Sequence, residues 1–112
     1  MAGMIAVVAT SFCLTGTMAD GSHTRRWSAA HNGYPLGTRI WIDPAVFGRH
    51  RWVVRDRIGF GTQLDFWSPS CATSRRFGRR VVKVHRGWPV VRARRTEIKR
   101  LPSLAYRGPA FQ

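Results

Sequence analysis

Two aspartates, Asp56 and Asp65, lie close together in the fragment DRIGFGTQLDFWSPSCATSRRFGRRVVKV, which runs from Asp56 to Val84. They are two of only five acidic residues in a chain with 19 Lys and Arg and a formal charge of +14. Asp65 sits in the alternating run Gln63-Leu64-Asp65-Phe66-Trp67. Read as a strand, this run sends Leu64 and Phe66 to one face and Gln63, Asp65 and Trp67 to the other. A carboxylate between an amide and an indole suits a carbohydrate cleft. The acid serves the chemistry, the amide meets sugar hydroxyls, and the indole offers a platform for a sugar ring. The plainer alternative is an amphipathic strand with a solvated outer face, which is common in antiparallel sheets.

The elements that must position these groups are short. Residues 4–13 read as a β-branched first strand, followed by the polar loop LTGTMADGSHTRRW. Ser28 to His31 forms a short extended piece, and Asn32-Gly33 and Pro35-Leu36-Gly37 are turn signals. Thr38 to Ile42 alternates as a strand, and Asp43-Pro44 opens a turn that ends near Gly48. Arg51 to Asp56 is the next strand, with Trp52 and Val54 on one face; Gly59 and Gly61 end it before Gln63 to Trp67. Ser70 carries helix-start chemistry and Gly78 helix-stop chemistry, which predicts one helix between them. Arg79 to His85 is a final β-branched strand. Six short strands and one short helix predict an all-β fold, a small barrel. The barrel is expected over residues 1–88, with residues 89–112 a basic C-terminal tail carrying Arg92, Arg94, Arg95, Lys99 and Arg100.

A chain of 112 residues supports one domain. Its 44% hydrophobic content argues against disorder. No run is long and apolar enough for a membrane span. The opening MAGMIAVVATSF lacks the basic n-region and small-residue cleavage site of an export signal and reads as a strand. The charge is almost wholly arginine and attracts polyanions, whether nucleic acid, anionic lipid or wall polymers. Cys13 and Cys71 belong to no C-x-x-C pair, and the histidines show no metal-ligand spacing, so neither a metal site nor a cofactor is expected. In an oxidising compartment the two cysteines form one disulfide; in a reducing one they are two buried thiols.

Taken in order, ATSFCLTG, the G-T-x-x-x-G spacing that follows, AAHNGYPLGTRIWI, VVRDRIG, QLDFW and SCATSRRFGRR resemble the three-aspartate (3D) domain, a double-psi β-barrel of bacterial cell-wall proteins. The resemblance covers roughly residues 6–86. Asp56 and Asp65 match the second and third family aspartates, while AAHNGYPLG carries His31 near the place of the first. That departure is similar to rare lipoprotein A, whose A-A-H histidine and D-R-G aspartate form an active-site pair acting on the glycan strand of peptidoglycan. In membrane-bound lytic transglycosylase A the aspartate matching Asp65 is the acid/base. The turn between Asp56 and Asp65 is shorter than in either branch.

The resemblance therefore implies a six-stranded double-psi barrel with one short helix. It implies lytic transglycosylase-like cleavage between N-acetylmuramic acid and N-acetylglucosamine, a lyase reaction. Asp65, Asp56 and His31 are the expected catalytic residues, converging on one cleft with Trp67 at its wall; Trp67, Gln63 and Arg57 are the expected substrate-binding residues. Cys13, ending the first strand, and Cys71, opening the helix, are expected to bridge. The expected partners are peptidoglycan glycan strands and anionic wall polymers, with no specific nucleic acid, for a monomer in an extracytoplasmic compartment. Two alternatives stand beside this: a non-catalytic, expansin-like polysaccharide-binding barrel, and a polyanion or nucleic-acid binder.

Overall fold

The computed structural model describes residues 3–89. Its elements are β1 (Ile5–Phe12), β2 (Ser28–Ala30), β3 (Arg39–Val46), β4 (Arg49–Asp56), β5 (Leu64–Trp67), α1 (Cys71–Phe77) and β6 (Arg80–Arg86). The six strands close into a barrel in the order β1-β5-β2-β4-β3-β6. Four pairs are antiparallel; β1/β5 and β2/β4 are parallel. The fold is thus the small all-β barrel with one short helix that the alternation predicts. The two parallel pairs distinguish it from an up-and-down barrel. Among the described residues closure leaves no edge on the barrel sheet to be protected.

Alternation builds the core. Ile40 and Ile42 of β3, Trp52 and Val54 of β4, Leu64 and Phe66 of β5, and Val82 and Val84 of β6 all point inward and are essentially inaccessible. Trp52 is the central ring, packed edge-on to Phe66 at 4.7 Å and to Trp27 at 5.5 Å. Ala29 of β2 lies in register with both Phe66 and Val54, and its small side chain leaves space for these larger neighbours.

The helix has the ends its sequence predicts. The Ser70 hydroxyl accepts from the Thr73 N–H at 3.2 Å, and Gly78 takes the cap at φ 64° with its N–H on the Ser74 carbonyl. Arg75 and Arg76 in the last turn complement the helix dipole. Phe77 packs against Phe47 and Phe66 and joins the barrel core. Two links tie α1 to β1: the Cys13–Cys71 disulfide, with Cα atoms 5.0 Å apart, and a Ser11–Ser74 hydroxyl contact at 2.9 Å. The bridge expected between the two cysteines is therefore present.

One predicted boundary is corrected. Asp43-Pro44 does not open the turn. The strand runs on through a cis Asp43-Pro44 bond and an irregular stretch to Val46, which pairs with Arg49. The turn is confined to Phe47-Gly48, both at positive φ (51° and 78°), as a two-residue hairpin requires. Trp88 belongs to the barrel: its indole N–H reaches the carbonyls of Ile40 and Trp52. The expected basic tail, beyond Pro89, lies outside the described residues. Among the described residues no helix is long and apolar enough to cross a membrane.

Candidate active site

Both aspartates face one short residue. Ala30 of β2 pairs with Asp65 on the antiparallel β5 and with Asp56 on the parallel β4. The two backbones flanking Ala30 lie two strand spacings apart, about 10 Å. An irregularity between Ala29 and Ala30 makes this possible: Ala29 pairs with Val54, but Ala30 pairs with Asp56, so Arg55 is skipped. Regular pairing would set Arg55 opposite Ala30. The irregularity instead brings a second carboxylate to the Asp65 side of the sheet, the re-aiming that bulges produce beside functional sites.

The aspartates open onto a cleft of about 480 Å³. Its floor and near wall include Ala30, Asp56, Asp65, Gln63 and Arg57. The far walls come from the loop after β1 (Leu14 to Thr17 and Thr24) and the turn Ile58-Gly59-Phe60. Phe60 is 86% exposed and Leu14 77%, unusual for large apolar side chains, and both border this cleft. Such rings and alkyl groups beside carboxylates can pack against the apolar face of a sugar.

Asp65 is half-buried, and burial pushes its carboxyl above the ordinary aspartate range. A hydrogen bond from the Thr10 hydroxyl, 3.0 Å from Oδ1, opposes this; the neighbouring Asp56 charge reinforces it. The arginines around the barrel do not reverse the shift. Arg57, the one arginine lining the cleft among the described residues, directs a guanidinium nitrogen to the carbonyls of His31 and Tyr34, both at 2.6 Å. Asp65 is thus the carboxyl suited to donating a proton, and Asp56 the one tied down. Asp56 Oδ1 accepts from the backbone N–H groups of Ala19 and Arg57, both at 2.9 Å. The first of these bonds moors the loop after β1; an Arg55–Asp20 ion pair at 3.4 Å and an Asp20 N–H bond to the Arg55 carbonyl hold it further.

Asn32, read from sequence only as a turn residue, clamps the opposite wall. Its amide donates to the Gly61 carbonyl and accepts from the Ile58 N–H. Gly61 suits this position because it stands at φ 102°, a conformation other residues rarely adopt.

Two expected site residues do not join the aspartates. The His31 ring lines a separate cavity with Tyr34, Leu64 and Val84. Its Nδ1 already accepts from the N–H groups of Gly33 and Tyr34 at 2.9 and 3.2 Å. That bonding fixes a neutral imidazole, and burial with the Arg57 charge lowers its pKa, against an opposing bond to the Thr62 backbone. The His31 ring thus lies in a different cavity from the aspartates and organises the 31–34 turn. Trp67 is 7% exposed, donates to the Leu14 carbonyl and faces a small groove with Arg26, Trp27 and Phe47. It is not the wall of the aspartate cleft; Phe60 and Leu14 are.

Sequence reading also missed Thr10. Nothing local marks it, since its partner is 55 residues away across a parallel pair. Phe60 carried a usable signal, a bulky ring between two glycines in an otherwise polar turn.

Thr10→Val is expected to raise the Asp65 pKa further, because it removes a hydrogen bond that favours the carboxylate. Any acid-catalysed activity should then extend to higher pH. The basic limb of the pH–rate profile reports this, and an unmoved limb would show that Asp65 is not the proton donor.

No family model matches the chain, and neither curated proteins nor solved structures yield a match.

Proposed function

We propose that this barrel acts on a polysaccharide and cleaves glycosidic bonds with Asp65 as the acid/base. The observation that carries the reading is the pairing of both aspartates with Ala30, with Asp65 held toward its protonated form. A protonated carboxyl delivers its proton to the glycosidic oxygen, and the resulting carboxylate then removes one from an attacking hydroxyl. In a lytic transglycosylase that hydroxyl is the muramyl C6–OH, which closes a 1,6-anhydro ring. One carboxyl suffices for both steps, so the paired-carboxylate rule of hydrolases does not apply. Asp56, with one oxygen fixed, stands beside it, placed to stabilise positive charge developing on the sugar. Phe60 and Leu14 bracket the chain.

The motif resemblance to the three-aspartate domain and rare lipoprotein A selects peptidoglycan glycan strands as the substrate. The disulfide fits an extracytoplasmic location. The test is incubation of the protein with purified peptidoglycan and mass spectrometry of the soluble products. Anhydro-ended muropeptides are expected.

A second reading, a barrel that binds glycan without cutting it, draws on the withdrawal of His31 and on the two backbone bonds that give Asp56 a structural task. Retention on insoluble peptidoglycan with no released anhydro product would select it.

A further inference from the structure

The aspartates occupy the β5-β2-β4 side of the barrel; β3 and β6 lie across it. Arg51 near the start of β4, Trp41 of β3 and His85 of β6 form a cross-strand row in register. Arg39, Lys83 and Arg86 flank the row, all exposed. Trp88 folds over it and takes the Arg39 guanidinium at 4.8 Å from its ring centre and that of Arg51 at 5.5 Å. Its indole N–H is fixed by two strand carbonyls. Among the described residues these guanidiniums meet a ring and no carboxylate. Asp43, across from Lys83, is the acid on this part of the sheet, and the ion pair formed among the described residues is Arg55–Asp20, elsewhere.

We infer that this face is a docking surface for a linear phosphodiester polymer that carries no bases. Charge complementarity and the spacing of the cations favour this occupant. Cations spread over three strands and along their length match a repeated charge better than a single anion. Guanidinium forks suit phosphate oxygens. The aromatic rings are already engaged: Trp88 meets two arginines. Trp41 stacks on His50 at 4.5 Å with planes 2° apart, and His50 is itself fixed by an Nδ1–H bond to the Ile42 carbonyl. Single-stranded nucleic-acid binders instead present open aromatic faces to successive bases. Recognition here rests on phosphate alone. The inference does not depend on the glycan reading, since its cationic residues lie on β3, β6 and the start of β4 and none of them lines the aspartate cleft.

The experiment titrates the full chain with fluorescently labelled poly(glycerol phosphate) and, in parallel, with oligo-dT, over a salt series. Poly(glycerol phosphate) should bind with a steep loss of affinity as salt rises. Arg39→Gln with Arg51→Gln should weaken it roughly tenfold, while Arg75→Gln with Arg76→Gln, an equal charge change on α1, should leave it nearly unchanged. Thermal melts of both variants should match the parent, since all four side chains are exposed. Equal losses in the two pairs would overturn the site in favour of net charge alone. Tighter binding of oligo-dT, lost when its bases are removed, would overturn it in favour of nucleic acid. Absence of polymer binding at low salt would overturn it outright.

Discussion

Asp65→Asn should abolish glycan cleavage while leaving the barrel at least as stable as the parent at neutral pH. The amide keeps the shape and can still accept the Thr10 hydroxyl, but it has no proton of useful pKa to give. General acid–base catalysis contributes about 10²–10⁴ in rate, so a loss of that size is expected in released anhydro product. The stability half of the prediction follows from the direction of the shift. The folded-state pKa of Asp65 is raised above the ordinary value of 3.8. The protonated form is therefore the better accommodated one: its contribution is complete below 3.8 and is lost as pH rises through the folded pKa. The asparagine variant carries no such loss. Melting temperatures measured from acidic to neutral pH should show the parent declining relative to the variant. Persistent cleavage by Asp65→Asn would move the acid role to Asp56, and a variant that melts well below the parent at neutral pH would show that the carboxylate is stabilising after all.

Removing the disulfide should produce the largest change in stability. Cys13 and Cys71 are separated by 58 residues, and on the loop-entropy account closing so long a loop is worth about 4 kcal/mol. For a domain of this size that corresponds to a fall on the order of 20 °C in melting temperature. The bridge also joins the end of β1 to the start of α1, next to Phe12 and Leu14 of the cleft wall. Cys13→Ala with Cys71→Ala should therefore lower activity at temperatures where the barrel still melts cooperatively. Calorimetry of oxidised, reduced and double-alanine protein checks this; a reduced protein melting with the oxidised one would show that the loop is held by packing alone.

Much of the barrel was legible because its signals are local. Leu64 and Phe66 alternate with Asp65, Trp52 and Val54 share one face, as do Val82 and Val84, and each set went where a period of two sends it. Ser70 and Gly78 bounded the helix because capping involves only neighbouring backbone groups. The limits of the hairpin turn were less legible. Asp-Pro is a strong turn signal, but Phe47-Gly48 makes the hairpin because both residues take positive φ, which Phe seldom adopts and packing against Trp52 and Phe77 accommodates here.

The site divides along the same line. Sequence alone determined that Asp65 faces away from the core and that a glycine-rich turn stands before it, since both follow from residue types within a few positions. Tertiary structure alone decided what surrounds it. Thr10 reaches Asp65 only through the β1/β5 pairing, and Asp56 comes to the same side only because the register skips Arg55. Trp67 shares the outward parity of Asp65, yet the Leu14 and Ser68–Thr73 segments cover it. His31 carries the expected motif, yet its ring is spent on its own turn. Alternation fixes which way a side chain leaves the strand. Which strand lies beside it, in what register, and what later chain folds over it depend on contacts between residues far apart in sequence, and no local pattern encodes them.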